Sequence, residues 1–372
     1  MTAMNLRQSG ATQLSRRALL VAAGGVSALL GAPAKGVILP ADWSHYEDPS
    51  TEFEVLRLTH PAYASYLPAW PGRAVSRHSE FAILASDRTG SMQLHRLDLK
   101  SGQSRVLVPV SHPRAFTLSA DDRTVYFRHQ DSVYALPLAG APRVVGLGEF
   151  AHSQDARALC PSEDGTALWF SATTGERAGL IKLRLGARSE PALVLKQADI
   201  REPVPNPRRA LVLWRSAGDS LWLCEHDGAN TRRLDTPAGR VLQAMWSPDG
   251  QSVLYLHESG AVAEPIAIRE QEVDSRADRL VATTSQYACF ARNADATVFL
   301  GSSRSQAGPY VLLMLRITRR ELPLCEHRSR DASASCLAFS PDSQRLFFQG
   351  DSEGKSVVYS MKLEKLVEKT EA

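Results

Sequence analysis

The sequence predicts an all-β fold, a seven-bladed β-propeller in which an N-terminal strand completes the last blade. Three observations support this prediction. An apolar run, a short polar turn and a second apolar run recur seven times, the turns are 41 to 47 residues apart, and β-forming residues flank each turn. A period of this length corresponds to one four-stranded blade per repeat. Closing the blades into a ring covers sheet edges that would otherwise pair with other chains.

The first 34 residues predict an export signal that precedes the fold. Ser15-Arg16-Arg17 is followed by an apolar run at 18–30 and by Ala32-Pro33-Ala34, which has the A-x-A pattern of a cleavage site. This order is typical of a twin-arginine (Tat) signal peptide. The run has 13 residues, too few for a helix across a hydrocarbon core of ~30 Å. We therefore predict a Tat signal peptide at 1–34, a propeller domain at 35–372, and a periplasmic protein with no membrane span after signal removal. A frayed or membrane-anchored N-terminus is the alternative.

The repeat at 240–282 illustrates the blade pattern. Strands are predicted at 241–246, 252–257, 261–268 and 279–281, and the first two flank the turn Ser247-Pro248-Asp249-Gly250. In such a turn Ser and Asp bond to nearby backbone, Pro presets φ and Gly accepts a positive φ. The other six turns are predicted at 76–79, 119–122, 162–165, 206–209, 293–296 and 340–343.

The last blade lacks a predicted outer strand, because the chain ends soon after residue 362. The β-rich run at 53–59 has no blade of its own. We therefore predict that 53–59 pairs with 357–363, so that the two ends of the chain close the ring together.

The charge balance and the cysteines exclude some classes of function. The chain has 43 Lys and Arg against 40 Asp and Glu, and removal of residues 1–34 takes away three arginines and no acid. A nucleic-acid partner needs a basic excess on one face, so none is expected. The basic stretch at 316–330 is interpreted as a solvated strand and loop, with an anion-binding rim as the alternative. The five cysteines form no CxxC pair and predict no metal or redox motif.

Three stretches, at 46–59, 87–103 and 339–359, resemble the oligogalacturonate lyase family, and more loosely the TolB-like and WD40-like propellers. The resemblance extends over nearly all of residues 35–372. It implies β-elimination on short uronate oligosaccharides. A metal held mainly by histidines would neutralise the sugar carboxylate, a further histidine would remove the adjacent proton, and an arginine would help to hold the charge. Such a reaction builds negative charge, which a cation must stabilise.

The positions that the resemblance assigns to this chemistry carry other residues. The four metal-ligand positions fall on Gln286, Asp331, Ala334 and Cys336, the base falls on Gln243, and the assisting arginine falls near Ser220. Transition-metal ions in such sites favour imidazole or thiolate. We therefore expect no metal and no cofactor, and a pseudoenzyme that binds an acidic oligosaccharide or an envelope protein.

Two alternatives stay open. The first is an active lyase or hydrolase on acidic saccharides, with Mn²⁺ as the cofactor of a lyase and relocated groups that face the central funnel; Asp331, Arg114 and His112 are the candidates. The second is a TolB-like interaction module of an envelope assembly. None of the ten histidines shows HxH or HExxH spacing, so each is interpreted as a surface or structural residue.

Overall fold

The computed structural model describes residues 36–130, 132–139, 145–149, 158–172, 178–186, 191–197, 199–261 and 264–363. The described residues form seven antiparallel sheets of four or five strands each, which confirms the predicted seven-bladed propeller. The expected signal peptide, His152 and residues 364–372 lie outside the described residues. No helix among the described residues has the length and hydropathy needed to cross a membrane.

Each blade is a meander of consecutive strands, with the first strand innermost. The N-terminal segment contributes β1 (Ile38–Leu39), β2 (Ser44–Glu47) and β3 (Glu54–Arg57). Blade 1 has β4 (Ser65–Tyr66), β5 (Phe81–Ser86), β6 (Gln93–Asp98) and β7 (Ser104–Pro109), with β1 added outside β7. Blade 2 has β8 (Phe116–Leu118), β9 (Thr124–His129), β10 (Ser132–Pro137) and β11 (Val145–Glu149). Blade 3 has β12 (Cys160–Pro161), β13 (Ala167–Ala172), β14 (Gly179–Arg184) and β15 (Pro191–Leu195).

The second half of the chain continues in the same way. Blade 4 has β16 (Ile200–Pro205), β17 (Leu211–Ser216), β18 (Leu221–Glu225) and β19 (Arg232–Arg233). Blade 5 has β20 (Gly239–Trp246), β21 (Ser252–Ser259), β22 (Ala267–Glu272) and β23 (Asp278–Thr283). Blade 6 has β24 (Tyr287–Arg292), β25 (Val298–Ser303), β26 (Tyr310–Leu315) and β27 (Arg320–Glu326). A short 3-10 helix (Ala332–Ser335) precedes blade 7, which has β28 (Ala338–Phe339), β29 (Arg345–Gly350) and β30 (Val357–Lys362).

The seven predicted turns join the first and second strands of the blades. In blade 5 the Gly250 N–H donates to the Ser247 carbonyl at 3.0 Å, and the Ser247 hydroxyl accepts from the Ser252 N–H at 2.9 Å. In blade 4 the Asn206 side chain replaces the serine and accepts from the N–H groups of Arg208 and Arg209, each at 2.8 Å. Because all seven turns end an innermost strand, they lie on one face of the ring, which we call the turn face.

The predicted closure of the ring is confirmed. Strand β3 pairs antiparallel with β30, with Leu56 opposite Ser360 and Arg57 opposite Tyr359. Strand β2 then pairs with β3, so that two N-terminal strands complete blade 7 where the sequence analysis expected one. Val55 and Leu58, on the closing segment, are 0% and 3% exposed. The closing segment is therefore part of the hydrophobic core.

The third strand of blade 5 lies later in the chain than the sequence predicts. It was predicted at 261–268, but β22 runs over Ala267–Glu272. The strand was predicted from its apolar residues, but the strand in the structure includes Glu270 and Gln271, which are polar and buried. Glu270 is neutralised by Arg279 at 2.5 Å and by Arg316 at 2.6 Å. Buried charges paired in this way can occupy a strand that hydrophobicity alone does not reveal.

Candidate ligand-binding cavity

The innermost strands enclose a central cavity of ≈ 1090 Å³, lined by residues from all seven blades. Its lining extends from Glu163 and Pro341 in the turns to Asp199 and Ser333 at the opposite ends of the innermost strands. The cavity therefore runs along the axis of the ring from the turn face towards the opposite face. A volume of this size accommodates a ligand of several sugar residues.

Arginine is the dominant charged residue of the cavity wall. Glu163, Asp199 and Glu202 are the carboxylates among the described lining residues. The lining arginines are Arg73, Arg77, Arg114, Arg201, Arg215 and Arg292. This excess of guanidinium groups over carboxylates favours anionic ligands, since guanidinium binds carboxylate oxygens through two parallel N–H groups.

Two of these arginines are neutralised by carboxylates of the protein. Arg73 pairs with Asp122 at 2.5 Å. Arg215 pairs with Glu202 at 3.0 Å and Asp219 at 2.7 Å. Burial opposes the charge of Arg215, but the two carboxylates outweigh burial and raise its pKa. Both arginines therefore serve the structure of the wall.

Arg292 and Arg114 have different surroundings. The Arg292 guanidinium donates to the carbonyls of Trp246 at 2.9 Å, Asn293 at 3.1 Å and Ala294 at 3.3 Å, and burial lowers its pKa. The Nη2 of Arg114 lies 2.6 Å from the Cys336 Sγ, and its Nε is buried without a hydrogen-bond partner. Burial raises the pKa of the Cys336 thiol, although Arg114 opposes the shift. The thiol is therefore neutral near pH 7, and it does not cancel the charge of Arg114.

Only part of the residue set expected from the family resemblance lies on the cavity. Gln243 and Cys336 line it, and the Gln243 Oε1 accepts from the Phe290 N–H at 3.0 Å. Gln286 is exposed in the left-handed region at φ 58°, and the Ser220 N–H donates to the Ser216 hydroxyl at 3.2 Å. Gln286 and Ser220 do not line the described cavity wall.

The remaining two positions belong to the 3-10 helix before blade 7. The Asp331 carboxylate caps this helix and accepts from the Ser333 N–H at 2.9 Å and the Ser333 hydroxyl at 2.7 Å. The Ala334 carbonyl accepts from the Gln349 side chain at 3.0 Å. Asp331 is exposed, and its carboxylate is committed to the helix cap.

These residues do not fit a manganese ion. The four ligand positions supply one amide, one carboxylate, one methyl group and one thiol, and the carboxylate and thiol already contact protein groups. Within the described ranges, no group of three or more His, Cys, Asp or Glu side chains is arranged to hold a metal ion. Transition-metal sites in proteins are built mainly from imidazole, thiolate and carboxylate converging on one point.

The structure does not bring together the three residues that the sequence offered as a relocated catalytic site. Of Asp331, Arg114 and His112, Arg114 is the one that lines the cavity. The His112 Nε2 lies 3.2 Å from the Gln130 carbonyl. The expectation that all three face the funnel is therefore wrong for Asp331 and His112, because local backbone contacts hold both side chains.

A loop in blade 1, residues 67–73, is a part of the cavity wall that the sequence analysis missed. Tyr66 pairs with Ala85, and Val75 pairs with Ala82. The innermost strand advances nine positions between these two pairs while β5 advances three, so six extra residues loop out of the innermost strand. All residues from 67 to 73 line the cavity. We call this segment the shaft loop. Pro68, Pro71 and Gly72 are the sequence signal that could have revealed it.

The shaft loop and Arg114 reach across the ring. Trp70, in the loop, packs against a hydrophobic cluster made by blades 5 and 6. Arg114 starts in blade 2 and contacts Cys336 at the beginning of blade 7. The loop is tied to Arg114 by a hydrogen bond of 2.9 Å from the Ala69 N–H to the Arg114 carbonyl.

Comparison with known proteins supports the resemblance read from the sequence. No family model matches the chain. The oligogalacturonate lyase of Dickeya dadantii (strain 3937) is 19% identical over 385 residues, which cover 89% of this chain and 98% of that protein. The sequence similarity thus extends over nearly the whole of both proteins.

Two solved structures share the fold. An oligogalacturonate lyase in complex with manganese has a TM-score of 0.80 at 18% identity, covering 90% of this chain and 99% of its own. The oligogalacturonate lyase of Vibrio parahaemolyticus has a TM-score of 0.79 at 16% identity, covering 89% and 99%. TolB from Acinetobacter baumannii is more distant, with a TM-score of 0.47 over 70% of this chain, too low to support an argument about function.

Proposed function

We propose that this protein is a periplasmic binding protein for acidic oligosaccharides that does not catalyse metal-dependent β-elimination. The observation that carries the proposal is the Arg114 guanidinium at the wall of the central cavity. Among the described residues no carboxylate pairs with it, and its thiol contact is uncharged. A carboxylate of a uronate ligand is the partner that such a guanidinium favours.

The similarity to oligogalacturonate lyases supports this class of ligand, and one of those structures is a manganese complex. The residues present here argue against the same chemistry. Gln243 occupies the position of the expected base, and its Oε1 already accepts from backbone. The amide of glutamine has no nitrogen that accepts a proton near neutral pH, so it cannot replace histidine as a general base. The protein is therefore proposed to be a pseudoenzyme of the lyase-like group.

The proposed location rests on the sequence of the first 34 residues. A twin-arginine pair, a short apolar run and an A-x-A site are in the order that directs folded proteins to the periplasm. An oligosaccharide-binding role is compatible with that compartment, where imported saccharides are first encountered.

The proposal predicts that the purified protein binds digalacturonate and that Arg114→Gln weakens the binding about 10- to 100-fold. This range corresponds to the loss of one charge-assisted hydrogen bond, about 1.5–3 kcal/mol. Isothermal titration calorimetry measures both affinities. Arg209→Gln is a matched control, because Arg209 is paired with Asp274 outside the cavity and should bind as the wild type does.

Two results would contradict this proposal. The first is a clear rise in ultraviolet absorbance from an unsaturated product when the protein is incubated with digalacturonate and Mn²⁺, which would identify an active lyase. The second is no saccharide binding together with repeated recovery of one partner from envelope extract, which would favour an envelope-protein ligand.

A further inference from the structure

Three consecutive blades carry a β-bulge near the start of the innermost strand, at the end that lies away from the turn face. The register shifts between Arg201 and Val204 in blade 4, at Leu242 in blade 5 and at Ala288 in blade 6. Each shift adds one residue to the innermost strand, and all four of these residues line the cavity. Bulges are over-represented beside functional sites, because they redirect side chains. Matching distortions of three blades therefore shape this end of the cavity.

The bulge of blade 4 carries charge where the other two are apolar. Leu242 and Ala288 occupy the bulges of blades 5 and 6, whereas Glu202 follows Arg201 in blade 4. The backbone of Glu202 is left-handed at φ 51°. Residues other than glycine adopt this conformation at an energetic cost, and such residues cluster at functional sites. The Glu202 carboxylate pairs with Arg215 at 3.0 Å, so it does not neutralise its neighbour Arg201.

The Arg201 side chain keeps its charge available to the cavity. Arg201 is exposed and lines the cavity wall. The nearby Asp199 carboxylate accepts from the Gln197 side chain at 2.6 Å. No carboxylate of the described residues forms an ion pair with Arg201. Unpaired arginines are ordinary on a protein surface, but this one borders a cavity that accommodates several sugar residues.

Arg114 lies at the same end of the cavity as Arg201. Arg114 precedes β8 by two residues, and Arg201 is the second residue of β16. Both strands run towards the turn face, so both arginines are near the opposite face. They belong to blades 2 and 4, and both line the same cavity. A ligand that binds both guanidinium groups must carry two anionic groups, as two linked uronate residues do.

We propose that Arg201 is a second carboxylate-binding residue of the central cavity, so that Arg114 binds one carboxylate of a diuronate and Arg201 binds the other. This inference rests on the proposed function and adds to it a requirement for two carboxylates. Guanidinium binds a carboxylate through charge-assisted, often bidentate hydrogen bonds, which a neutral hydroxyl group cannot match. A saccharide with a neutral sugar at the second position leaves Arg201 without an anionic partner.

The test compares two disaccharides of nearly equal size on the mature chain. Digalacturonate carries two carboxylates and galacturonosyl-galactose carries one. We expect the wild type to bind digalacturonate about 10-fold more tightly, as one additional charge-assisted hydrogen bond predicts. Arg201→Gln should weaken digalacturonate binding by about the same factor and leave the affinity for galacturonosyl-galactose nearly unchanged, so that the preference disappears. Isothermal titration calorimetry measures all these affinities.

Arg330→Gln is the matched control. Arg330 is exposed near the start of blade 7 and has no ion-pair partner among the described residues, but it does not line the described cavity wall. The variant loses the same charge and should keep the wild-type preference. A thermal unfolding midpoint for each variant verifies that it is folded.

The outcomes separate this inference from the proposed function. If the wild type binds digalacturonate and Arg114→Gln weakens that binding, the proposed function survives. The role of Arg201 is then refuted if Arg201→Gln binds normally, if Arg330→Gln weakens binding equally, or if the wild type binds both disaccharides with the same affinity. The last comparison needs no variant, so it does not depend on how well Arg201→Gln folds. If the wild type does not bind digalacturonate, both proposals are refuted.

Discussion

Two side chains at positions that the family resemblance assigns to histidine contact other parts of the protein. Cys336 lies where the family resemblance places a histidine, and its thiol contacts Arg114 at 2.6 Å. Gln243 lies where a base is expected and accepts from the Phe290 backbone at 3.0 Å. Both side chains are therefore held by contacts within the cavity wall.

His95, in strand β6, shows how burial makes a residue pH-sensitive. It is 1% exposed, its Nε2 has no hydrogen-bond partner, and burial lowers its pKa to about 4, with a smaller effect from Arg88 in the same direction. An unfolded histidine has a pKa of about 6.5. Because the unfolded chain binds the proton more tightly, His95 lowers the stability as the pH falls from about 6.5 towards 4 and has no such effect above that range.

We expect the free energy of unfolding to fall between pH 7 and pH 4 by about 3 kcal/mol more in the wild type than in His95→Gln. Urea denaturation at several pH values measures this difference. His78→Gln, at an exposed turn position, is the control and should keep the wild-type pH profile. Parallel curves for the wild type and His95→Gln would show that folding leaves the pKa of His95 unchanged.

Among the structural elements, the shaft loop has a steric requirement that a glycine meets. It returns to the innermost strand of blade 1 at Gly72. A Cβ at this position would lie 2.8 Å from the Phe116 carbonyl oxygen and 2.9 Å from the Ala69 carbonyl oxygen. Both obstacles are backbone atoms, so they cannot move aside as a flexible side chain could. The loop and strand β8 can approach this closely only because residue 72 has no side chain.

Gly72→Ala should therefore lower the free energy of unfolding by about 1–3 kcal/mol, as overpacking does in well-packed sites. The thermal unfolding midpoint is the measurement. Gly260→Ala is a matched control, since a Cβ there meets nothing within 4 Å among the described residues. An unchanged midpoint in Gly72→Ala would mean that the loop can shift away from β8 at no cost.

For the whole molecule, the decisive contact is the one between the two ends of the chain. Strand β30 would be an open edge without β3, and unpaired edges recruit other chains. The closing segment also buries Val55 and Leu58. Full burial of two such side chains contributes about 3–6 kcal/mol.

A chain that starts at residue 61 should thus be less stable by at least about 3 kcal/mol and should self-associate, because it lacks β2 and β3. Urea denaturation and size-exclusion chromatography test both effects. A chain that starts at residue 42 loses only the two-residue strand β1 and should remain monodisperse with nearly full stability. Equal behaviour of the two truncations would contradict the proposed importance of closure.

The sequence by itself determined the number of blades, the position of the seven turns and the closure by 53–59. These features depend on local residue chemistry and on a regular period, both of which are visible along the chain. It also predicts that Gln243 and Cys336 stand where the family resemblance places histidines, a prediction that rests on residue types alone.

Only the tertiary structure decided which side chains meet in the central cavity. Trp70 packs against blades 5 and 6, and Arg114 contacts Cys336, 222 residues later in the chain. The sequence pattern misplaced strand β22 for a related reason. The buried carboxylate of Glu270 is paired with Arg316, which lies 46 residues later in the chain. Contacts between residues so far apart depend on how the blades are arranged around the ring, and no local pattern in the sequence encodes that arrangement.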